Sequence, residues 1–162
     1  MRKIVILFVL LVSCSFAGKA QTGIIGGGLT LFYSNGFLYQ ATLHGGYEFN
    51  DKIATTAMIG IGAAAECNGS YVVGETGIYF RFTAWHNDVF FLDFKPAFEM
   101  AFRDYISVMD IGIVPSLRFR TSSHWEIFTD IGAFGARYNE GVWRPRLGIT
   151  NITAAVGVNY RF

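Results

Sequence analysis

The chain has 162 residues, with 12 acidic and 13 basic side chains and a formal net charge of +1, a balance that excludes the basic footprint of a nucleic-acid binder and a polybasic membrane tail. Hydrophobic residues make up 52%, and the abundance of Gly (19), Phe (16) and Tyr (8) favours strands and turns over helices. No Pro/Ser-rich linker or shift of composition divides the sequence, so one folded domain is expected.

Residues 1–20 read separately from the rest. "MRK" is a positive n-region, "IVILFVLLV" an apolar core too short to span a bilayer as a helix, and "GKA" before Gln21 a small-x-small cleavage site. Together they describe a secretory signal peptide over 1–20, leaving residues 21–162 as the mature domain. "LVSC" at Leu11 to Cys14 also resembles a lipoprotein cleavage box, with Cys14 as the alternative point of lipid attachment. Either processing route implies export. Cleavage after Ala20 leaves Cys67 as the only cysteine, so no intramolecular disulfide is possible and a small buried or loop thiol is expected.

No stretch of the mature chain is apolar for 18 residues, which excludes a helical membrane protein. Period-two alternation appears instead, interrupted by "SNG" (34–36), "NDK" (50–52), "CNGS" (67–70), "WHND" (85–88), "RDY" (103–105), "TSSH" (121–124) and "NEGVWRPRLG" (139–148). These breaks separate about eight strands. In the second, Tyr39, Ala41, Leu43, Tyr47 and Phe49 oppose Gln40, Thr42, His44 and Glu48. The first and third, rich in Gly, Ala and Thr, are less decisive. The fifth puts Phe90, Leu92, Phe94, Pro96, Phe98, Met100 and Phe102 on one face and Phe91, Asp93, Lys95, Ala97, Glu99, Ala101 and Arg103 on the other. The sixth sets Met109, Ile111, Ile113, Leu117 and Phe119 against Asp110, Gly112, Ser116, Arg118 and Arg120.

Charge placement decides what the two faces mean. Glu48, Glu66, Glu75, Asp93, Glu99, Asp110, Glu126 and Asp130 fall on polar faces, Asp51, Asp88, Asp104 and Glu140 fall in turns, and no acid falls on an apolar face. Arg81, Lys95, Arg103, Arg118, Arg120 and Arg161 join the polar faces, Lys52, Arg144 and Arg146 lie in connections, and Arg137 alone is expected on the apolar side. A soluble, lipocalin-like barrel would have to fit its apolar faces inside, where eight strands enclose little room and four phenylalanines from one strand's apolar face would overfill it. Lipid outside sets no such limit. The expected fold is therefore all-β, an eight-stranded antiparallel up-and-down transmembrane barrel with short connections and a lumenal charge network. Its members are Glu48, Glu75, Arg81, Asp93, Lys95, Glu99, Asp110, Arg118, Arg120, Glu126, Asp130 and Arg161.

The last strand alternates Ile152, Ala154, Val156, Val158, Tyr160 and Phe162 with Asn151, Thr153, Ala155, Gly157, Asn159 and Arg161. Its ending "GVNYRF" resembles the C-terminal signature of bacterial outer-membrane barrels, carried here by Gly157, Tyr160 and Phe162; Ala155 departs from the polar residue usual two before the Gly. With the leader, size and strand count, the whole chain resembles the small OmpA/OmpX-like family of eight-stranded outer-membrane proteins. The resemblance implies residence in the outer membrane and a last strand that the barrel insertion machinery reads as a signal. With both termini periplasmic, Tyr47, Phe49, Phe80, Phe82, Phe90, Phe119, Trp125, Tyr160 and Phe162 form an aromatic girdle at the periplasmic ends.

Chemistry is sparse. Eight acids against six bases in a narrow lumen imply ion pairing and a plugged interior, not a porin. His44 and Glu48, on one face, suggest a metal or acid/base pair, but a lumenal hydrogen-bond network accounts for them more simply. His86 and His124 read as solvated turn residues. The lipid A deacylase family carries His-x-Ser-Asn, where this chain has "FYSN"; with Phe32 in place of the His, Ser34 has no base, and "SNG" is a hairpin turn. No phosphate loop or repeat is present, and no cofactor is expected. The outward connection "NEGVWRPRLG" offers Trp143, Arg144 and Arg146 near Arg137 as a possible contact with lipopolysaccharide phosphates and headgroups, or else a solvated loop. The expectation is thus a monomeric outer-membrane protein with a structural or surface-interaction role, whose partners are membrane lipid, lipopolysaccharide and the insertion machinery. The alternatives are a lipid-modifying enzyme and a narrow channel for small solutes.

Overall fold

The computed structural model describes residues 22–33, 36–66, 69–103, 106–147 and 152–162. The leader with Cys14, the Ser34 turn, Cys67 and Asp104 lie outside them. The strands are β1 (Thr22–Tyr33), β2 (Gly36–Asn50), β3 (Ile53–Glu66), β4 (Gly69–His86), β5 (Phe90–Arg103), β6 (Ile106–Arg120), β7 (Trp125–Ile131), β8 (Phe134–Asn139), β9 (Val142–Leu147) and β10 (Ile152–Arg161). Successive strands up to β7 pair antiparallel with their neighbours; β10 lies between β7 and β1. β8 continues β7 along β6, and β9 turns back on β8. The ten segments thus build eight staves of one closed barrel.

The lower hairpins close through side chains that imitate backbone. Asn50 Oδ1 accepts from the amides of Lys52 (2.8 Å) and Ile53 (2.9 Å), and Asn87 Oδ1 accepts from Val89 (2.9 Å) and Phe90 (2.7 Å). The seam closes at the chain end, where Gly23 and Phe162 exchange amide-to-carbonyl bonds of 2.9 and 3.0 Å.

Two sequence expectations are corrected. "NEGVWRPRLG" is not a connection throughout: Glu140 (φ 51°) and Gly141 (φ 83°) make a two-residue turn, and Val142–Leu147 is strand β9. Arg137 does not face the apolar side. From Ser116 to Ile113 β6 runs three residues, while its partner runs four from Asp130 to Phe134, so one extra residue enters near Gly132 (φ 76°) and Ala133. Such a bulge inverts the alternation beyond it and turns Arg137 onto the face of Asp110.

Prolines occupy gaps in the ladder, as a residue without an amide donor requires. Pro96 lies where β4–β5 pairing lapses between Tyr79↔Ala97 and Phe82↔Phe94, and Pro115 where β6 changes partner from β7 to β8.

Burial is inverted relative to a water-soluble protein. Leu29 (66% exposed), Ile61 (65%) and the rings of Phe80, Phe82, Phe90, Phe94 and Phe98 point outward, whereas Glu48 (1%), Arg118 (2%) and Glu126 (0%) are enclosed. Ions in the core and hydrocarbon on the surface are stable only if the surrounding solvent is apolar.

Candidate functional site

The chemistry of this chain lies in the lumen, and small residues determine which side chains meet there. Across β2, β3 and β4 the register aligns Glu48, Ala54 and Arg81. Because Ala54 is short, the Arg81 guanidinium crosses it and donates to Glu48 Oε1 at 2.5 Å. Arg161, brought round by the seam, donates Nε to Glu48 Oε2 at 2.6 Å. Arg118 donates Nε to Asp93 (2.9 Å) and Nη1 to Glu126 (2.7 Å), with Glu48 at 3.8 Å. Arg120 reaches Glu126 at 3.1 Å and Asp51 at 3.2 Å. Phe91 forms an aromatic floor, with the Arg118 and Arg120 guanidinium carbons 4.2 and 4.6 Å from its ring centre and His86 stacked at 5.5 Å.

Four arginines therefore meet four carboxylates at the end of the barrel that carries the C-terminus. Charge-assisted bonds of this kind offset the loss of hydration that a lone buried ion would suffer. Asp51 sits in the turn at this end. Desolvation acts to raise its pKa, but the hydrogen bond and charge of Arg120, and then the charges of Arg161 and Arg118, hold its carboxyl below the ordinary value.

Higher in the lumen the polar groups pair in smaller sets. Lys95 pairs with Asp130, and its ammonium lies 5.1 Å from the Phe128 ring centre and 5.8 Å from that of Tyr79. Tyr79 Oη donates to Glu99 at 2.7 Å, and Gln40 donates to Glu75. His44 Nε2 lies 2.6 Å from Asn159 Oδ1, above Gly26, where a Cβ would come within 2.5 Å of Asn159 and 2.6 Å of His44. Asp110 accepts from Nε and Nη2 of Arg137, each at 2.8 Å. Ala97, Val114 and Ala133 form a small apolar patch beside Tyr79.

No protein-family model and no curated protein sequence matches the chain. Solved structures do. A de novo designed transmembrane β-barrel is 12% identical, with a TM-score of 0.51 over 89% of this chain and 98% of that one. Ail, the attachment invasion locus protein of Yersinia pestis, is 15% identical, with a TM-score of 0.51 over 89% of this chain and 99% of that one. The fold is that of a transmembrane β-barrel. At such low identity the likeness concerns the fold alone, and the transmembrane barrel's chemistry rests on its own residues.

Those residues divide the predicted lumenal set. Glu48, Arg81, Asp93, Arg118, Arg120, Glu126 and Arg161 form one network, Lys95 and Asp130 a separate pair, and Glu75, Glu99 and Asp110 bind Gln40, Tyr79 and Arg137 respectively. His44 and Glu48 do not act together, since each is engaged by a different partner. The sequence assigned Asp51 to a turn and missed its place in the network. Its only signal was position, immediately after the Asn50 that closes the hairpin. Among the described residues no cluster of His, Cys, Asp or Glu is arranged to hold a metal ion.

At the transmembrane barrel's C-terminus, Tyr160 packs 5.0 Å from Trp125 and 6.5 Å from Phe162, all outward-facing. Gly157 faces inward beneath the Phe128 ring, which a Cβ would approach to 2.3 Å. At the opposite end Trp143 pairs with Tyr138 (ring centres 5.2 Å apart), while Arg144 is exposed in register with Arg137 on the other face of the hairpin. Arg146 lies opposite Gly135 in the same hairpin.

Proposed function

We propose that the protein is an integral outer-membrane barrel, exported through a signal peptide cleaved after Ala20, with a plugged lumen, no catalysis and a structural or surface-interaction role. The observation that carries this reading is the inverted burial, with apolar side chains outward and Glu48, Asp93, Arg118 and Glu126 paired within. The mature protein is expected to fractionate with outer membranes and to migrate faster on gels when unboiled. Recovery as a soluble monomer without detergent would refute the reading. The paired arginines and Phe91 support a closed lumen, so single-channel recording is expected to show no steady conductance; unchanged lipid A mass spectra with and without the gene would argue against the enzyme.

Gly157, Tyr160 and Phe162 serve assembly in this reading. Burying a full Phe side chain contributes roughly 1.5–3 kcal/mol, and an interfacial one contributes less. Deleting Phe162 is therefore expected to reduce assembly in cells far more than refolding of purified protein into lipid. Normal cellular assembly of both the deletion and Phe162→Ala would leave the terminal ring as an ordinary strand residue.

Lipopolysaccharide contact rests on Trp143 as the interfacial ring and on Arg144 and Arg146 as the cations for phosphate. Arg137 belongs to that set as well, held by Asp110 through Nε and Nη2 and part-exposed at the same hairpin.

A further inference from the structure

Among the described residues β9 has a strand partner on one side only. β8 holds it from Phe134↔Leu147 to Asn139↔Val142, whereas the pairing of β1 with the eighth stave reaches only Tyr33↔Ile152. Among the described residues the other edge of β9 carries no strand. The turn determines which amides point there. In a two-residue hairpin the flanking pair, here Asn139 and Val142, exchanges both hydrogen bonds, and bonded and non-bonded pairs then alternate. The amides of Val142 and Arg144 thus turn towards β8, and those at positions 143, 145 and 147 turn to the free edge. Position 145 is proline, so the middle donor of that edge is missing while no bond to β8 is lost.

We infer that Pro145 keeps the free edge of β9 from pairing with the same edge of a second copy of this chain. An unpaired edge is a template for another strand, and two identical β9 edges meet antiparallel about a two-fold axis without rearrangement. Val142 and Trp143, both exposed, supply the β-branched and aromatic side chains that would strengthen such a pairing. Removing the central donor from both copies breaks the ladder where it would form. This inference does not depend on which membrane holds the barrel, since it concerns backbone groups of the hairpin.

Its test compares Pro145→Val, Pro145→Thr and Arg144→Val in one detergent, by sedimentation velocity and chemical cross-linking over a range of protein concentrations. All three introduce strand-favouring side chains, but only the proline variants restore an outward donor. Both proline variants are expected to shift from monomer to dimer as concentration rises, while wild type and Arg144→Val stay monomeric. Adding Leu147→Pro to Pro145→Val returns a proline to the outward edge and is expected to restore the monomer. Monomeric proline variants with unchanged unboiled gel migration overturn the inference. So does association of Arg144→Val, or of Pro145→Val without Pro145→Thr, because either would trace to a stickier surface and not to the opened edge.

Discussion

Replacing Arg118 by leucine is expected to destabilise the refolded barrel by about 3–5 kcal/mol, the range for breaking a buried ion pair by removing one partner. The guanidinium serves Asp93 and Glu126 directly, lies 3.8 Å from Glu48 and covers Phe91, so its loss takes from the enclosed Asp93 its arginine and leaves Glu126 with Arg120. The penalty belongs to the abandoned Asp93 more than to the arginine. Arg118→Leu combined with Asp93→Leu is therefore expected to be less damaging than the sum of the two single changes, because the pair is removed together. Urea titration of tryptophan fluorescence in lipid vesicles measures both. A loss below about 1 kcal/mol for Arg118→Leu, the range of exposed pairs, would mean that this arginine is solvated in the folded barrel.

Phe94→Arg is expected to cost about 2–4 kcal/mol, the range for a cation on the lipid face at the bilayer midplane. Phe94 is half exposed and lies between Phe82 and Pro115, well inside its stave. Gln40→Arg introduces the same side chain at an enclosed position beside Glu75, where a carboxylate is at hand. Folding yield into bilayers is expected to fall sharply for the first and little for the second. Equal effects would show that the two faces had been exchanged.

The large apolar positions on β5 and β6 were legible without coordinates. A strand sends successive side chains to opposite faces, so Phe90, Phe94 and Phe98 had to share one side and Asp93, Lys95 and Glu99 the other, whatever surrounded them. Asn50 and Asn87 were legible for a similar reason: an Asx turn is made by the residue itself and its near neighbours. Arg137 was not. One extra residue near Ala133 inverts the alternation, and a bulge of that kind leaves no mark in a period-two pattern interrupted by glycine.

Partner choice in the lumen was equally out of reach. That Arg81 reaches Glu48 over Ala54, or that His44 reaches Asn159 over Gly26, depends on the register of neighbouring staves and on the seam between β1 and β10. What the sequence by itself determined is local: the strands, most of their turns, and the face of each side chain within an unbroken alternation. Only the tertiary structure decided which charges meet, because ion pairs form across a closed ring whose members are 6 to 113 residues apart in the chain. Pairing demands aligned donors and acceptors at short range, so a shift of two residues in register would exchange the partners while leaving every side chain on its own face.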